Sequence, residues 1–122
     1  MSERADIEFA NDILEAIQRI SRYLGNLSYD DFLKDTKTQD AVIRNIEIIG
    51  EAAKGVTEEL RAKYPHIPWK SMAGMRDRLI HHYFGVNLDI VWQVISEELP
   101  SLTPELSQIT KAAEDTNQDE GG

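Results

Sequence analysis

The run Arg76-Asp77-Arg78-Leu79-Ile80-His81-His82-Tyr83 brings two guanidinium groups and two imidazoles together within eight residues. Those side chains suit the cleavage of an RNA phosphodiester without a metal, which needs a base for the ribose 2′-hydroxyl proton and a cation for the crowded phosphate. Histidine serves the first task, with an unperturbed pKa of ~6.5. Arginine serves the second, with a planar fork of donors matched to phosphate oxygens. The surrounding charge agrees. Within residues 61–85, Arg61, Lys63, Lys70, Arg76 and Arg78 stand against Asp77 alone, a net +4; the chain carries −9, which leaves −13 outside the window. A basic, histidine-bearing island in an acidic protein draws a phosphate.

Spacing supports part of this chemistry and complicates the rest. On a helix Asp77 lies one turn before His81, where a carboxylate orients the ring and favours its charged form. Arg76 and Tyr83 fall on nearly the same face. Arg76 and His81 do not, because five residues turn a straight helix about 140° beyond a full circle. They meet if the helix loosens near Gly85, if Arg76 reaches around, or if two copies of the helix face each other across a dimer. The plain alternative puts Met72, Met75, Leu79 and a partly buried His82 in the core and leaves Arg78 and His81 solvated. No metal is expected: His81 and His82 are adjacent and point apart, and no His-x3-His pair or cysteine occurs. With no Walker loop, dinucleotide fingerprint or serine elbow, no cofactor is expected either. Trp69 and Trp92 read as core anchors, and Glu51 as a structural partner of Arg44.

The elements that must hold these residues read as helices. Ala10, Ile13, Ile17, Ile20, Leu24 and Leu27 form a stripe predicting a first helix over about 4–24, stopped by Gly25-Asn26. Ser28 caps a short turn carrying Phe32 and Leu33. Val42, Ile46, Ile49, Ala53, Val56 and Leu60 predict a second helix from Thr36 or Thr38 to about Lys63. Beside that seam, Ala41, Ile48, Ala52 and Gly55 suggest burial on two sides, in a bundle centre or at a subunit contact. Gly50 and Gly55 fit close approach by a neighbour. The prolines of Tyr64-Pro65-His66-Ile67-Pro68 end this helix. A third is predicted from Trp69 to about Phe84, closed by Gly85. Asn87 caps a fourth, from Leu88 to Leu99, ended by Pro100. Thr103-Pro104 opens a short last helix to about Ala113, and residues 114–122 read as a disordered acidic tail. The fold class is all-α: an antiparallel bundle of four to five helices in one domain, residues 1–113.

At 122 residues the chain is long enough to bury a core without staples, and zero cysteines exclude disulfides and thiolate chemistry. No apolar run approaches the ~20 residues of a membrane helix, and the charged N-terminus does not resemble a signal peptide. An intracellular, cytoplasmic protein with no membrane partner is the expectation. The acidic balance opposes broad nucleic-acid coating, which needs many cationic contacts.

Arg76-x4-His81-x-Tyr83, preceded by Ile67-Pro68-Trp69 and by Arg44-Asn-Ile-Glu-Ile-Ile-Gly-Glu-Ala-Ala53, resembles the HepT branch of the HEPN superfamily over nearly the whole chain. The resemblance implies a homodimeric, HEPN-like bundle acting as a metal-independent ribonuclease, the toxin of a type VII toxin–antitoxin system. Its partners would be RNA, not DNA, and an MntA-like nucleotidyltransferase antitoxin. It implies Arg76 and His81 as catalytic residues near a dimer cleft, and Tyr83 as the tyrosine that receives AMP. Asp77 takes a supporting role, with Arg78 and His82 beside it. The alternative is a non-catalytic helical subunit of a nucleotidyltransferase complex.

Overall fold

A computed structural model of the chain describes residues 2–81 and 85–121, with side chains described for 4–80 and 85–114. The fold is an all-α, HEPN-like bundle. Its long first helix, α1 (Ser2–Leu24), ends at Gly25, whose φ of +49° is the left-handed turn anticipated there. The Ser28 side chain accepts from the Asp31 amide and starts α2 (Tyr29–Lys34), which buries Phe32 completely. Asp35 then caps α3 (Thr36–Gly55) through the Thr38 amide.

α3 is the hub of the bundle. Val42, Ile46, Ile49 and Ala53 are fully buried, facing Ala10, Ile13, Ile17 and Ile20 of α1 within one continuous core. The N-terminal part of α1 meets the end of α3, so the pair is antiparallel: Asp6 of α1 reaches Thr57, and the Phe9 ring lies over Gly55. A Cβ at Gly55 would stand 2.5 Å from that ring, and one at Gly50 would meet the carbonyls of Met72 and Ala73 at 3.5 and 3.6 Å. Gly55 therefore sits where α1 comes too close for a side chain, whereas at Gly50 a Cβ would meet α5 at ordinary van der Waals distance.

Several boundaries differ from the sequence reading. The second helix does not run to Lys63. It stops at Gly55; Val56 turns extended, and Thr57 caps a separate α4 (Glu58–Lys63) by accepting the Leu60 amide. Asp6 explains the break, because its carboxylate accepts both the Thr57 amide (2.9 Å) and hydroxyl (2.5 Å) and fixes the chain there. The third helix is also interrupted. α5 (Trp69–Ala73) and α6 (Met75–Leu79) are separated at Gly74, and β1 (Ile80–His81) follows, paired antiparallel with β2 (Gly85–Val86).

Beyond Asn87, whose side chain accepts the Ile90 amide, α7 (Leu88–Gln93) passes into a π-helical turn at Val94–Glu98 and then α8 (Leu99–Gly121). Neither Pro100 nor Pro104 ends the helix. A proline ring crowds the carbonyl four residues earlier, and the wider π turn lies where Pro100 would cause that clash. Through Pro104 the apolar stripe Leu99, Leu102, Leu106, Ile109 stays in register against the core, so packing outweighs the local cost. The last helix is also longer than the short one expected to end near Ala113, since α8 continues to Gly121. Trp69 is buried and donates Nε1–H to the Tyr64 carbonyl, and Trp92 packs its ring on Tyr29 and Phe32. No helix among the described residues is long and apolar enough to cross a membrane.

Candidate active site

Two buried anchors decide where the arginines point. Met75 and Leu79, four apart on α6, are each 2% exposed, which turns Arg76, Asp77 and Arg78 outward to solvent. Met72, Met75 and Leu79 are thus core, as the plain reading had it. α6 then ends. Ile80 adopts an extended conformation, its amide bonded to the Arg76 carbonyl, and the Asn87 amide closes the ladder on the Leu79 carbonyl at 2.8 Å. His81 pairs across the ladder with Gly85, whose φ of +79° is a region glycine enters without strain.

The difficulty of five-residue spacing assumed an unbroken helix, and the helix stops two residues before His81. The same break removes the premise that placed Asp77 one helical turn below His81. The side chain of His81, and all of His82 and Tyr83, lie outside the described residues.

Arg76 and Asp77 line a groove of about 490 Å³ on the outer face of α3, walled also by residues of α1 and α5. Its charged lining is Asp12, Arg44, Glu47, Glu51, Lys54, Arg76 and Asp77. Arg44 pairs with Glu47 at 3.8 Å and Lys54 with Glu51 at 3.5 Å. Glu51 is therefore an exposed groove residue bound to Lys54, not a buried partner of Arg44: α3 turns that face outward. Arg76 is in no ion pair among the described residues, so its fork is free to meet an anion.

The basic island of the sequence is smaller in space. Arg61 turns inward, its Nη2 donating at 2.9 Å to the Ala53 carbonyl in the last turn of α3. Arg78 is held by Glu98, with Nη1–Oε1 3.1 Å and Nη2–Oε2 3.0 Å. Hydrogen bonding to Glu98 raises the guanidinium pKa above its usual value, with burial opposing it and the Glu98 charge adding to it. Sequence reasoning missed Glu98, Asp6 and Thr57 because each acts across 20 or 51 residues, beyond any helical spacing.

A family model described as Ribonuclease HepT-like matches residues 13–109. The chain belongs to the HepT-like ribonuclease family. The matched segment contains the Arg76-x4-His81-x-Tyr83 motif on which the resemblance was drawn. Among similar proteins, a Methanocaldococcus jannaschii protein named "Putative RNase" is 47% identical over 106 residues, 87% of this chain and 88% of the relative. A Thermococcus cleftensis protein named "Probable ribonuclease HepT" is 43% identical over 109 residues, 89% and 99% of the two chains. A third, from Caldanaerobacter subterraneus, is 42% identical over 101 residues, 83% and 90% of the two. No solved structure matches the chain.

Proposed function

We propose that this HepT-like protein is a metal-independent endoribonuclease, active as a homodimer in the cytoplasm, and the toxin of a type VII toxin–antitoxin pair. His81 takes the proton of a ribose 2′-hydroxyl. The oxygen attacks the adjacent phosphorus, Arg76 stabilises the pentacoordinate phosphate, and the 5′ oxygen leaves with a proton, so the product ends in a 2′,3′-cyclic phosphate. The requirement for a 2′-hydroxyl makes RNA the substrate and excludes DNA. The observation that carries this reading is Arg76: an outward guanidinium, in no ion pair among the described residues, lining a groove and five residues before His81.

A second copy of the chain would bring its own motif to the same cleft and double the local charge. Asp77 supports Arg76 from the groove wall. The partner is an MntA-like nucleotidyltransferase antitoxin, which transfers AMP to the Tyr83 hydroxyl. A bulky anion two residues from His81 would occupy the phosphate position and repel RNA, silencing the enzyme with no large rearrangement.

RNA incubated with the protein in EDTA should be cut to cyclic-ended fragments, and His81→Ala should abolish the cutting. Equal cleavage by both proteins, or cleavage only with added metal, would overturn the mechanism. Stable assembly with a nucleotidyltransferase without any cleavage would favour a regulatory subunit. Mass spectrometry after incubation with that transferase and ATP should place AMP on Tyr83, with Tyr83→Phe unmodified.

A further inference from the structure

We infer that Glu98 is a positioning residue: through its two-point grip on Arg78 it holds α6 and β1 in the register that presents Arg76 and His81. The inference rests on the nuclease reading of that pair. α6 has five residues, far short of the ~12–15 at which a helix begins to sustain itself in water. Its hold on the bundle comes from Met75 and Leu79 below and from Arg78 at the side. Glu98 makes a firm post for that side contact. It closes the π-helical turn, where the Leu99 amide bonds to the Val94 carbonyl, and Val94, Ile95 and Leu99 are all buried around it. The i→i+5 bonding lets Val94 and Leu99, five apart, both enter the core, while Glu98 turns to Arg78.

A bidentate fork with both bonds near 3 Å is the strong form of this pair. The side chains are 41% and 37% exposed, so its contribution to global stability is small after solvent screening, and its effect is local geometry. Arg78 also has its fork turned to a carboxylate, unlike Arg76 two residues earlier. The structure therefore divides the labour between the arginines, Arg76 for the phosphate and Arg78 for the frame.

The test uses the full chain with Glu98→Gln, Arg78→Gln, and the reversed pair Arg78→Glu with Glu98→Arg. Hydrogen exchange at the Ile80 and Asn87 amides, which bond to Arg76 and Leu79 carbonyls, should speed up in both single variants. Exchange in α1 and α3 should be unchanged, and the reversed pair should restore protection. RNA cleavage should lose about ten- to a hundredfold in kcat with KM unchanged, and the reversed pair should recover it. The salt dependence of RNA binding should be the same in Arg78→Gln as in wild type. A slope reduced by about one, or tighter RNA binding by Glu98→Gln, would make Arg78 a phosphate ligand and overturn the inference. Unaltered exchange at Ile80 and Asn87 would overturn it as well. If exchange responds but the wild type cuts no RNA, the nuclease reading fails and the grip of Glu98 on α6 stands.

Discussion

Replacing Asp6 with alanine should loosen the seam between α1 and the α3–α4 junction. Asp6 is 4% exposed, and its two oxygens accept the Thr57 amide at 2.9 Å and the Thr57 hydroxyl at 2.5 Å. Alanine leaves both Thr57 donors without their acceptor in a part-buried site. Hydrogen bonds to a charged group contribute about 1.5–3 kcal/mol each, and truncating one partner also strands the other. Offset by the desolvation that the carboxylate no longer undergoes, the net loss should be ~2–3 kcal/mol. In a domain of this size that lowers the melting temperature by about 8–12 °C. The assay is urea unfolding followed by circular dichroism, at one fixed protein concentration because association raises apparent stability.

Thr57 also caps α4 through its hydroxyl, so Thr57→Val alone costs about 1 kcal/mol from the cap. The double-mutant cycle removes that contribution and should leave a coupling of ~1–2 kcal/mol. A loss below ~0.5 kcal/mol for Asp6→Ala, or a coupling near zero, would refute the assignment of Asp6 as the tie at this junction.

Gly55→Ala should destabilise the protein by about 1–3 kcal/mol through the Phe9 ring, and Phe9→Leu in the same chain should recover part of the loss in urea unfolding. Arg76→Ala should leave stability within about 0.5 kcal/mol yet slow RNA cleavage by roughly 10²–10³-fold; equal rates would remove it from the site. Asp35 has its carboxyl held below the usual carboxylate range, first by the Thr38 hydroxyl and then by the Thr38 amide. Its contribution is therefore present above its unfolded pKa and disappears as pH falls through the lower folded value. The stability gap between wild type and Asp35→Ala should stay constant from neutral pH down to about pH 5 and narrow progressively below it.

The features legible in the sequence are those a few neighbouring residues decide. The stripe of α1, the Gly25 turn, the caps at Ser28 and Asn87, and the buried faces of Trp69, Met72, Met75 and Leu79 each follow from local stereochemistry or helical periodicity. The motif itself was legible too, since Arg76, His81 and Tyr83 are close in the chain. The groove beside Arg76 was not, because α1, α3 and α6 contribute its walls from distant parts of the sequence.

What only the tertiary structure decided has a common cause: contacts across long stretches of chain that overrule or complete a local signal. Local propensity ended the fourth helix at Pro100 and opened a separate last one at Pro104, but a π turn and the buried stripe through Ile109 join them. Periodicity ran the second helix to Lys63, but Asp6, 51 residues away, fixes the break at Thr57. Charge counting placed five cations in one island; Glu98 occupies one and the end of α3 another. A side chain's type is written in the sequence, whereas which partner holds it depends on the packing of elements that meet only in the folded chain.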